Sequence, residues 1–181
     1  MNRARFLWLA TVGLAAGGSP AHAHRLDEYL QATVIDVTRQ HIAVTLRLTP
    51  GVDVASGVIH QIDGNGDGIL SPQEQQAYVA RVRQGLSVAI NGNPAVLTTA
   101  GAAFPSVATL RTGSGVISLR FHIATRLAPD TYRLTYANHG MGTDTVYLVN
   151  GLLPHDPAIH VERQQRSVNQ STYELDFTVA P

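Results

Sequence analysis

The segment Asp63-Gly64-Asn65-Gly66-Asp67-Gly68-Ile69-Leu70-Ser71-Pro72-Gln73-Glu74 holds a run of oxygen donors whose spacing could bind a hard cation. Asp63, Asn65 and Asp67 fall on alternate positions, and a glycine follows at 68. A chain that bends sharply there needs positive φ, which glycine adopts at little cost. Calcium takes roughly six to eight oxygens at about 2.3–2.6 Å in flexible geometry, so such a loop, sealed by a later carboxylate, offers the chemistry it requires. An ordinary surface turn would also collect Asp, Asn and Gly, and a helix cap alone would account for Ser71 and Glu74. Neither explains acid, amide and acid at alternate positions, then glycine, then glutamate at the end.

Taken together, residues 63–74 resemble the loop of an EF-hand. The resemblance implies the ligand set Asp63, Asn65, Asp67, the backbone carbonyl of Ile69, Ser71 directly or through water, and both carboxylate oxygens of Glu74. It also implies that Leu70 turns inward after the bend. Ile59 and Ile62 precede the loop as an entering helix would need, and Ser71-Pro72-Gln73-Glu74 reads as a capping box with proline at the first helical position. Three negative charges with glycines at 64 and 66 suggest modest affinity, with a dissociation constant of about 10⁻⁴–10⁻³ M. Regulatory EF-hands come in pairs, whereas neither Asp130 nor Asp144 opens a second loop. A solitary loop implies a structural site more than a switch.

The elements that must hold this loop follow from periodicity. Residues 29–38 (YLQATVIDVT) and 41–49 (HIAVTLRLT) alternate as half-buried strands, with Ile42, Val44, Leu46 and Leu48 on one face and Arg39-Gln40 as the turn between. From Pro50-Gly51 to position 84 the spacing becomes helical: Val54, Val58, Ile59 and Ile62 before the loop, then Ala77, Tyr78, Arg81 and Val82 after it. Further strands are expected at 86–90, 95–99, 106–111, 116–125, 130–136, 145–149 and 172–179, with Asn91-Gly92-Asn93-Pro94 a strong turn. Tyr132, Tyr136, Tyr147 and Tyr173 fall in these strands and read as packing residues. The expectation is a mainly β domain, an antiparallel β-sandwich (Ig-like) or barrel, with a helix-loop-helix EF-hand inserted at residues 52–84.

Arg3 and Arg5, the apolar run 6–16, the breakers Gly17 to Pro20 and Ala21-His22-Ala23 read as a signal peptide cleaved after Ala23. That leaves one domain, 24–181, in the periplasm or secreted, where a weak calcium site would find its ion. The run is too short to span a membrane, and no second apolar stretch reaches spanning length. The chain has 13 Lys+Arg residues, all of them Arg, against 13 acids, and no basic run suited to nucleic acid. It has no cysteine, which excludes disulfides, thiolate catalysis and lipid attachment at a cysteine. No G-x-S-x-G, phosphate-binding glycine loop or acid pair outside the calcium loop stands out, so an enzyme is not expected.

The stretch Ala23-His24-Arg25-Leu26-Asp27-Glu28-Tyr29-Leu30 is similar to the extracytoplasmic N-terminal region of HupE/UreJ-type bacterial membrane proteins. That resemblance implies a Gram-negative periplasm and a periplasmic or membrane protein partner connected with metals. An alternative function follows from His24 as a mature N-terminus. Its amine and imidazole together could hold copper, nickel or cobalt, making the protein a handler of such metals. No H-x-x-x-H or H-E-x-x-H pair supports a local transition-metal site, and His139, His155 and His160 lie in a Pro- and Gly-containing region where they could converge.

Overall fold

The computed structural model describes residues 27–140, 142 and 144–181. The signal-peptide reading and His24 therefore lie outside the described residues. Ten strands and three helices follow in the order β1 (Tyr29–Val37), β2 (His41–Pro50), α1 (Val52–Ile62), α2 (Pro72–Gln84), β3 (Leu86–Ile90), β4 (Asn93–Pro94), β5 (Thr98–Ala103), α3 (Val107–Arg111), β6 (Ile117–Ala124), β7 (Asp130–Asn138), β8 (Thr145–Gly151), β9 (Ile159–Arg166) and β10 (Thr172–Val179).

The strands form two five-stranded sheets in a sandwich-like arrangement, ordered β5-β6-β2-β1-β8 (sheet A) and β4-β3-β7-β10-β9 (sheet B). All pairs are antiparallel except β1 and β8, which run parallel. The expected wholly antiparallel pattern is corrected at that one pair. The alternation in β2 drives the packing. Ile42, Val44, Leu46 and Leu48 are fully buried, facing Leu119, Phe121 and Ile123 of the neighbouring strand's inner side and Leu134, Tyr136, Leu175 and Phe177 from sheet B within one core. Burying such side chains supplies the main stabilisation, at roughly 1.5–3 kcal/mol for each large one.

Both anticipated hairpins form. Thr38 N–H donates to the His41 carbonyl at 2.9 Å, closing the turn over Arg39-Gln40. Asn91 and Gly92 take φ of 51° and 78°, the two left-handed residues of a tight β3–β4 turn. The chain then crosses from sheet B to sheet A over residues 95–97, burying Leu97. Because of this crossing only residues 98–99 of the strand expected at 95–99 lie in a strand, β5, while β4 falls on Asn93–Pro94 of the expected turn.

Two other elements differ from expectation. Residues 106–111 are not a strand: Ser106 accepts a hydrogen bond from the Thr109 amide at 3.2 Å and starts α3, which packs against α1. On α2 the inward side chains are Tyr78 and Val79, with Val82 half-buried, while Ala77 and Arg81 are exposed. The apolar face is rotated by about one position on the helix, because alanine contributes little burial and Arg81 instead reaches the Gln61 carbonyl. α1 buries Val58, Ile59 and Ile62 of the expected face, with Ala55 buried beside them and Val54 half-buried. The helical pair links β2 of sheet A to β3 of sheet B, so the loop between the helices is anchored to both layers. Among the described residues, no helix is long and apolar enough to cross a membrane.

Candidate metal centre

The loop 63–71 joins two helices whose inner faces are fixed in the core. α1 ends at Ile62, which is buried, and the next residue, Asp63, is buried too. The Asp63 carboxylate accepts from the backbone amides of Gly66 (2.8 Å) and Asp67 (3.2 Å) on one oxygen and from Gly68 (2.9 Å) on the other. The chain is therefore wound around this side chain. Gly66 and Gly68 both take positive φ, 72° and 78°, which allows the coil to be this tight.

Asn65 and Asp67 are coupled. The Asn65 amide donates to Asp67 Oδ2 at 2.9 Å, and Asn65 Oδ1 accepts from the Asp67 backbone N–H at 3.1 Å. Asp67 Oδ1 accepts from the Ile69 amide at 2.8 Å. The Ile69 side chain is exposed, whereas Leu70 packs against the core, as the spacing requires. The Leu70 carbonyl is held by the Gln75 side chain at 2.7 Å, a contact with no counterpart in the sequence signal beyond one polar residue in the first turn of α2.

Ser71 caps α2 and forms the full capping box with Glu74. Glu74 Oε2 accepts from the Ser71 amide (2.9 Å) and hydroxyl (2.7 Å). Glu74 Oε1 reaches across to the amides of Gly64 (2.9 Å) and Asn65 (3.4 Å), so one carboxylate bridges the two ends of the loop. These donors, Ser71 first among them, hold the Glu74 carboxyl below its ordinary pKa.

All six sequence-derived positions thus lie in one closed turn of chain. The three carboxylates do not meet at a point: Asp63 and Glu74 accept from separate sets of backbone amides, and Asp67 is exposed. Among the described residues, no three His, Cys, Asp or Glu side chains are grouped to hold a metal. The donor set is a mixed one of carboxylate, amide, carbonyl and hydroxyl oxygens, which suits calcium rather than a softer metal. Its charge count fits as well, with three carboxylates against a divalent ion.

Two of the histidines have side-chain partners. His41 hydrogen-bonds Thr38, and His139 lies 3.3 Å from Ser87 Oγ. His160 sits at the Thr131 end of sheet B and His139 at the opposite end, so the two cannot share an ion. Beneath α2 lies a contact that the sequence did not announce: the hydroxyls of Tyr29 and Tyr78 meet at 2.6 Å. Burial raises both phenols above the ordinary range. That bond ties the exiting helix to the first strand of sheet A. No family model, curated protein or solved structure matches this chain.

Proposed function

We propose that this chain is an exported calcium-binding module. In this reading it is an Ig-like sandwich carrying a single EF-hand, and it acts by binding rather than by catalysis. One observation carries the reading. The Glu74 carboxylate spans the loop from Ser71 to Gly64, so the residue assigned to close the coordination sphere already closes the loop. Asp63, Asn65, Asp67, the Ile69 carbonyl, Ser71 and Glu74 would hold the ion. Glu74 would exchange its bonds to the amides of Gly64 and Asn65 for the cation, and that exchange favours modest affinity. Calcium would then brace α1 against α2, and through them sheet A against sheet B. Its biological partner, in the same reading, is a periplasmic or membrane protein.

Calorimetric titration of calcium into the protein tests this directly. One site is expected, with a dissociation constant of about 10⁻⁴–10⁻³ M. At a calcium concentration a hundred times that constant, the folded state should gain about 2.7 kcal/mol. Glu74→Gln should abolish most of this gain while leaving the fold intact. A wild-type protein with neither binding heat nor a rise in melting temperature would end the reading.

A further inference from the structure

The inner face of β1 turns polar toward its N-terminal end. Thr33 meets the Tyr136 hydroxyl at 2.8 Å, Gln31 accepts from Asn138 at 2.8 Å, and the Tyr29 hydroxyl meets that of Tyr78 at 2.6 Å. These buried bonds fall on every second residue of the strand, as one face of a pleat requires. Tyr29, Gln31, Tyr78 and Asn138 also line a cavity of about 30 Å³, with Gln61 and Arg81 as its exposed members. That volume holds one occupant the size of a water molecule or a monatomic ion.

The lining has more donors than acceptors. The Gly140 amide donates to Asn138 Oδ1 at 2.9 Å, which fixes the Asn138 side chain and makes its Nδ2 the donor to Gln31 Oε1. The other end of the Gln31 amide carries two N–H groups that have no partner among the described residues, although Gln31 is only 5% exposed. Of the two phenols, one donates to the other, which leaves the second hydroxyl hydrogen without an acceptor among the described residues. Burial raises the pKa of both, so both remain protonated donors. Arg81 adds a positive charge 5.8 Å from the centre of the Tyr78 ring, and no carboxylate pairs with it among the described residues. The cavity lining contains no Asp or Glu. A buried donor left without an acceptor is costly, and a water molecule would bring two further hydrogens to place. An anion only accepts, and Arg81 supplies the opposite charge that burying one requires.

We infer that this cavity is a binding site for a small monovalent anion of chloride size, held by the free N–H groups of Gln31, the spare hydroxyl hydrogen of the Tyr29–Tyr78 pair and the charge of Arg81. Charge-assisted bonds of this kind are stronger than those between neutral groups, so the anion ties α2 to β1 more firmly than the phenol pair alone. No donor of the loop 63–74 lines the cavity, so the site stands apart from calcium binding.

The test compares the full chain in sodium chloride with the same chain in sodium gluconate at equal ionic strength, gluconate being too large for the cavity. Chloride is expected to raise the melting temperature and to saturate, and the chloride NMR line should broaden in proportion to the bound fraction. Arg81→Gln, at an exposed position, should weaken chloride about tenfold or more, the loss that one charge-assisted bond carries. Gln31→Glu sets a carboxylate where the free amide stands and should abolish binding. If that variant does not fold, Arg81→Gln decides alone. Arg83→Gln, an exposed arginine of the same helix outside the cavity, should leave chloride binding unchanged. Equal melting temperatures in the two salts would mean that the cavity takes water only, and would overturn the inference. So would chloride binding that Arg81→Gln leaves intact, or that Arg83→Gln weakens as much, since the anion would then sit on surface arginines.

Discussion

At the scale of single residues, the loop depends on two different kinds of constraint. Gly68 is needed for its backbone: at φ 78° an added Cβ would meet no atom within 4 Å, so any cost is conformational. Gly68→Ala should therefore destabilise the protein by roughly 1–2 kcal/mol, read from a urea transition, with no steric contribution. Glu74 is needed for its charge. Its folded-state pKa lies below the ordinary 4.5, so its contribution to stability is present above that value and lost as pH falls through the lowered pKa. Melting temperatures followed into the acid range should fall for the wild type, and Glu74→Gln should remove this part of the fall. The sequence pattern singles these residues out because the proposed calcium chemistry would restrict type and spacing together. The amide donors that now occupy Glu74 were not, since backbone N–H groups leave no trace in residue type.

At the scale of elements, α2 connects the loop to the sandwich. Its first turn carries Glu74, and one turn later Tyr78 bonds to Tyr29 of β1. Tyr78→Phe leaves the Tyr29 hydroxyl buried without that partner, and should cost about 1–3 kcal/mol in denaturant unfolding. If the proposed site is correct, the variant should still bind calcium, because none of the loop donors is touched. Most elements could be read from periodicity: β1, β2, β3, β6, β7 and β10 stand close to where alternation puts them, and α2 begins at the capping box of Ser71 and Glu74. The misreadings have physical causes. Residues 106–111 look like a strand by composition, but Ser106 behind Pro105 caps a short helix. β9 passed unnoticed because Glu162, Arg163, Gln164, Gln165 and Arg166 show no apolar alternation on an exposed edge strand. Strand order, including the parallel β1–β8 pair, depends on contacts distant in sequence that local pattern does not encode.

At the scale of the whole molecule, the two sheets approach closely where sheet A ends in β8. There Arg166 donates to the Val149 carbonyl at 2.7 Å, and its guanidinium lies 5.3 Å from the Tyr173 ring centre. A Cβ on Gly151 would come within 2.4 Å of the Tyr173 hydroxyl. Gly151→Ala must therefore displace that ring from between the layers, and should cost roughly 1–3 kcal/mol as overpacking, seen as a lower melting temperature. The same strand has a consequence for biogenesis. β1 is synthesised more than a hundred residues before its parallel neighbour. A nascent or truncated chain lacking residues 145–151 would leave one flank of β1 open to any passing strand. Proper assembly of sheet A is thus deferred until residues 145–151 have been made, and slow maturation with a need for chaperoning is the expected phenotype.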